Sequence, residues 1–183
     1  MKLLSVDCST NSFAYGILND GELEEYGEIF FTGSEIHKRL VDARLKMEAL
    51  LPDFQTKGID YIVFEDVVTV RSVKTAASMA KMFGTVLSVI LELDAKLVLV
   101  EPLKWQTAIG VQSPRGKART DLVKGHPELK TKNQIDKFIR EYRKQKIIEY
   151  VEDRAGIVPD NDNVSDGIAI GYWAYDIMKE SDF

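Results

Sequence analysis

The sequence predicts an α/β fold: a mixed five-stranded sheet, three antiparallel strands and then alternating helix and strand, flanked by helices. Three observations predict it. The Asn19-Asp20-Gly21 turn splits the first apolar runs into a hairpin, because these residues adopt positive φ at little steric cost. After Ser34 the apolar spacing changes from two to three or four. Two further short apolar runs, at 60–65 and 96–101, each follow a long helical pattern.

Residues 3–8 read as a buried strand and 13–18 as its partner, with a third strand over roughly 22–31. Ser34 is placed to cap a helix from Glu35 to about Leu51, with Ile36, Leu40, Ala43, Met47 and Leu50 along one face. The break at Gly58 precedes the fourth strand. A second helix runs from about Ser72 to Leu93, and the fifth strand closes at Pro102. A brief helical pattern follows at 103–109, then a polar stretch from Gly110 to about Thr131, punctuated by glycine and proline. Helices are expected over roughly 132–153 and 163–179. Nothing repeats, so residues 1–183 read as one domain with a basic insertion at about 104–146.

The 24 Lys and Arg against 29 Asp and Glu give a net charge of −5, a balance that taken whole counts against a nucleic-acid partner. Segment by segment, the balance reverses. From Lys104 to Lys146 there are twelve basic and four acidic residues, a net of +8, which leaves −13 for the remainder. Lys104, Arg115, Lys117, Arg119, Lys124, Lys130, Lys132, Arg143 and Lys144 are therefore candidate contacts to a DNA backbone. The lone Cys8 excludes an intrachain disulfide and fits a reducing, cytoplasmic compartment. The apolar stretches fall short of a membrane span, and no signal-peptide pattern is present, so no membrane partner is expected.

Asp7 shares a strand face with Leu3 and Ser5, and a carboxylate ending an apolar strand is costly without a partner or a task. Glu65 ends the fourth strand in the same way. Asp162, Asn163 and Asp166 fall at the start of the last helix, where spacings of four and three put the first two on one face with Asp166. Singly, each has an ordinary explanation as a turn former or a cap, with Asp162 or Asn163 capping the helix. Three acids converging from two strand ends and one helix start are harder to dismiss. Hard oxygen donors of this kind suit Mg²⁺ or Mn²⁺, which points to metal-assisted hydrolysis.

The element order, Asp7, Glu65 and the Asn163-Val164-Ser165-Asp166-Gly167-Ile168-Ala169 run together resemble the RuvC-type Holliday-junction resolvases, and the long basic insertion resembles their phage-encoded branch. The resemblance spans essentially the whole chain. It implies a ribonuclease H-like fold, a homodimer, and cleavage of four-way DNA junctions with two Mg²⁺ ions per site, Mn²⁺ substituting. It implies a bacterial cell or a phage-infected host. Asp7 would bridge both metals, Glu65 would hold one and Asp166 the other. Two positions depart from the family. Asn163 stands where Asp or His is usual, so either its carbonyl oxygen or Asp162 completes the site. Val68 stands where resolvases often place an aromatic wedge. The small residues Ala76, Ala80, Gly84 and Ser88 would lie on the dimer helix, Trp105 reads as core, and His37 and His126 read as surface. Within the same superfamily, a nuclease acting on RNA or RNA–DNA hybrid is the alternative, and outside catalysis, a junction-binding protein.

Overall fold

The computed structural model describes residues 1–66 and 72–180. The meander forms as expected: β1 (Lys2–Cys8), β2 (Ser12–Asn19) and β3 (Glu22–Phe30) pair antiparallel. Its turn places Asp20 at φ 50° and Gly21 at φ 87°, as a tight hairpin requires. β4 (Tyr61–Glu65) and β5 (Lys96–Val100) then add in parallel, so the sheet runs β3-β2-β1-β4-β5.

Among the described residues six helices flank it: α1 (Ile36–Thr56), α2 (Val73–Ile90), α3 (Pro102–Ala108), α4 (Gly116–Lys124), α5 (Lys132–Ala155) and α6 (Asp162–Glu180). The period of two in each strand sorts the core into two layers. Leu4, Val6, Ile62 and Phe64 point to α1 and α2, while Leu3, Val63 and Val100 point to α3, α5 and α6. Two glycines bring α6 down onto the sheet. A Cβ on Gly167 would stand 3.2 Å from the Ala14 carbonyl oxygen, and one on Gly171 would stand 2.5 Å from both Leu18 Cδ1 and Ser5 Oγ. This close approach seats the start of α6 over the carboxyl end of β1.

Several expectations are corrected. α1 continues through Pro52 to Thr56 because Leu51 and Phe54 are buried, Phe54 against the rings of Phe13 and Tyr15; packing outweighs the one backbone bond that proline forfeits. Its N-cap is Glu35 rather than Ser34. The stretch 110–131 contains α4, which has no buried residue and so no apolar periodicity to betray it. α6 is capped by Asn161 rather than Asp162 or Asn163: its Oδ1 accepts from the Val164 amide at 3.1 Å. α2 is long and apolar enough, by length and composition alone, to cross a membrane, at mean hydropathy 1.2. Its Met82, Val86, Val89 and Ile90 lie in the core, whereas Ala80, Gly84 and Ser88 are exposed and Ala76 is half-buried. Val68 lies outside the described residues.

Candidate active site

The register of the sheet lines up the acids. Asp7 pairs across to Ala14, and Ala14 pairs across to Glu28. On the other side Val6 pairs with Phe64, which sets Glu65 beside Asp7 at the parallel strands' carboxyl ends. Strands lie about 4.8 Å apart, so Asp7 and Glu28 stand about 10 Å apart with the small Ala14 between them. The start of α6 crosses directly above Ala14, through Gly167. Asp166 therefore faces the Asp7 side, while Asn161 and Asn163 reach Glu28, donating through their Nδ2 atoms to its two oxygens at 2.7 Å each.

The cluster is electrostatically strained. Burial raises the Asp7 carboxyl well above its ordinary value, and the charges of Glu65, Asp166, Asp162 and Glu28 raise it further. Burial also raises Glu65, opposed by the Trp105 indole, which donates to Glu65 Oε1 at 2.7 Å, and by the Arg143 charge. Asp166 is pushed up to about 7 by burial, against the pull of Arg143 and Lys144 and with the help of Glu65 and Asp162. Its Oδ1 is buried and receives no hydrogen bond. Asp7, Glu65 and Asp166 are pressed into a desolvated pocket with one oxygen orphaned, an arrangement that a divalent cation would complete. Among the described residues no three His, Cys, Asp or Glu side chains are grouped closely enough to hold an ion as they stand.

The two remaining candidates differ. Asp162 pairs with Lys144 at 2.5 Å, whereas Asn163 is tied to Glu28 and, at 3.4 Å, to Ser12 Oγ. The basic candidates divide as well. Arg143 and Lys144 stand at the acids, but Lys104 lies over the Trp173 ring at 6.0 Å. Trp173 is eleven residues along α6 from Asp162, about 16 Å at the helical rise, so Lys104 faces away from the acids. Arg119 pairs with Asp136 at 2.7 Å, which pins α4 against α5, and Lys124 pairs with Asp121 at 3.4 Å within α4. Arg115, Lys117, Lys130 and Lys132 are exposed and in no ion pair among the described residues. They lie on α4, its flanking loops and the start of α5, a basic strip ending about 16 Å from Arg143 by the rise of α5.

Sequence reasoning missed two participants. Glu28 sits in a strand with three other glutamates, and only the cross-strand register links it to Asp7. Asn161 was hidden among neighbouring Asp and Asn. Trp105 is fully buried, as expected of a core residue, yet its one polar side-chain atom holds Glu65.

No family profile and no curated protein matches the sequence. Solved structures do. Thermus thermophilus RuvC in complex with a Holliday junction substrate superposes at a TM-score of 0.67 and 13% identity, over 98% of this chain and 96% of that one. The chain has the RuvC fold. A second structure of T. thermophilus RuvC matches at 0.65 and 14% identity, over 99% and 98% of the two chains. A yeast mitochondrial Holliday junction resolvase aligns at 0.48 and 13%, over 98% of this chain and 80% of its own. The ribonuclease H-like sheet expected from the sequence is therefore the sheet observed.

Proposed function

We propose that this protein is a divalent-metal-dependent endonuclease that cuts branched DNA, with four-way junctions as substrate. The observation that carries the reading is the buried carboxylate cluster with the unpartnered Asp166 Oδ1, set beside Arg143 and Lys144. Asp7, Glu65 and Asp166 would hold Mg²⁺, two ions per site with Mn²⁺ able to substitute, and either Asp162 or Asn163 would complete the set. Bound there, the metal supplies an activated water and charge stabilisation for phosphodiester hydrolysis.

The chain's own residues do the rest. Trp105 fixes Glu65 by its indole bond, and Arg143 keeps a positive charge at the mouth of the cluster. Arg115, Lys117, Lys130 and Lys132 hold the DNA backbone without reading its sequence. The fold supports the reading, since one RuvC neighbour is described with a Holliday junction substrate. The exposed small-residue face of α2 supports self-association, which would set two sites about a two-fold axis to match the junction's symmetry.

The test is Asp7→Asn. A nuclease of this kind loses Mg²⁺-dependent cutting of a four-way junction while its junction affinity stays within a few-fold of wild type. Undiminished cutting by the variant would refute the assignment. A wild type that cuts RNA–DNA hybrid and leaves junctions intact would move the substrate to RNA. A wild type that binds junctions and cuts nothing would leave a binding protein.

A further inference from the structure

We propose that Glu28 on β3 is a positioning residue for the metal site: its carboxylate sets Asn163 so that the carbonyl Oδ1 serves the metal, and supplies the negative charge that Asn163 lacks. The inference rests on the metal-dependent reading above. It decides which neighbour completes the site.

The geometry carries it. A carboxylate only accepts hydrogen bonds, so the amide facing it must present its NH₂. Glu28 Oε1 takes the Asn163 Nδ2 at 2.7 Å and Oε2 takes the Asn161 Nδ2 at 2.7 Å. Ser12 Oγ is the second neighbour of the Asn163 Nδ2, at 3.4 Å. With its nitrogen so engaged, Asn163 keeps Oδ1 as the free end, and that oxygen accepts no hydrogen bond among the described residues. Asp162 is occupied differently, by Lys144 at 2.5 Å, and a carboxylate neutralised by an ammonium is the poorer donor to a cation.

Glu28 also acts at a distance. It lies in the same cross-strand row as Asp7 and its charge raises the Asp7 carboxyl. No Lys or Arg pairs with Glu28 among the described residues; its partners are two neutral amides, so its charge stays available to the cluster. Asn161 caps α6 through Oδ1 while its Nδ2 holds Glu28, so one carboxylate joins β3 to the helix start that bears Asn163 and Asp166. Outer-shell partners of this sort typically contribute 10–100-fold to metal affinity.

The experiment titrates Mg²⁺, and Mn²⁺ by electron paramagnetic resonance, into wild type, Glu28→Gln and the double variant Glu28→Gln with Asn163→Asp, without DNA. Circular dichroism in EDTA checks each fold, and Glu28→Ala replaces Glu28→Gln if the latter does not fold. The expected result is a loss of about 10–100-fold in ion affinity for Glu28→Gln. Asn163→Asp then restores most of it, because the charge moves from β3 to α6. Unchanged affinity in Glu28→Gln overturns the proposal. So does a loss that Asn163→Asp leaves in place, since Glu28 would then only anchor the helix start. A wild type that binds neither ion defeats the metal reading itself, and this proposal with it.

Discussion

Replacing Asp166 by Asn should stabilise the metal-free protein, and more so as pH rises. Burial pushes the Asp166 carboxyl from 3.8 in the unfolded chain to about 7 in the folded one. Between those values the folded state holds one proton more than the unfolded state, so stability falls by about 1.4 kcal/mol per pH unit. The contribution of a protonated Asp166 is complete below pH 3.8 and is lost as pH climbs through about 7. From pH 5 to pH 7, where the folded group is already half ionised, the wild type thus loses about 2 kcal/mol that Asp166→Asn keeps. Urea unfolding in EDTA at pH 5, 6, 7 and 8 measures it. The gap between variant and wild type should widen by about 2 kcal/mol from pH 5 to 7, then level off above the folded-state value. Saturating Mg²⁺ should close the gap by stabilising the wild type, since the cation takes the proton's place. A gap of equal size at pH 5 and pH 8 would refute the argument that Asp166 is held desolvated among like charges.

Other outcomes follow from the same contacts. Trp105→Phe removes the indole donor that holds Glu65, so metal affinity should shift to higher pH, with about 1–3 kcal/mol of stability lost; a pH series of Mg²⁺ titrations and urea melts checks both. Changing Arg115, Lys117 and Lys132 to Gln should flatten the salt dependence of junction binding by about 0.9 in log K per log salt for each lost phosphate contact, read by fluorescence anisotropy. Gly171→Ala forces a Cβ to within 2.5 Å of Leu18 Cδ1 and Ser5 Oγ and should cost about 1–3 kcal/mol in urea unfolding. Gly84→Ala meets open space within a helix and should instead add up to about 1 kcal/mol.

Much of this was legible because period and punctuation carry most of the fold. Leu3, Ser5 and Asp7 share one face of β1, and Tyr61, Val63 and Glu65 share the same face of β4, as an alternation of two requires. The three acids were readable for the same reason. A charge closing an apolar strand, or opening a helix just before an apolar run, is conspicuous against its surroundings. Glu28 was not, because Glu22, Glu24, Glu25 and Glu28 look alike in sequence, and the residue that matters is chosen by register and by the height of α6 above Ala14. α4 was hidden by having no buried face, and Asn161 by its resemblance to the residues after it. Lys104 shows what segment counting leaves out: a basic residue inside a basic segment, set by a seven-residue helix over Trp173. Charge counting locates a basic segment, but helix phase decides which of its side chains meet the site.

Whether the buried acids form a metal-dependent site for branched DNA comes down to one gel. Wild-type protein is incubated with a four-way junction and with linear duplex of the same sequence, in Mg²⁺ and in EDTA, and the products are resolved under denaturing conditions. Paired, symmetric nicks should appear in the junction, only with Mg²⁺, while the linear duplex stays intact. Cleavage in EDTA, or equal degradation of the linear duplex, would contradict the assignment of Asp7, Glu65 and Asp166 to such a site.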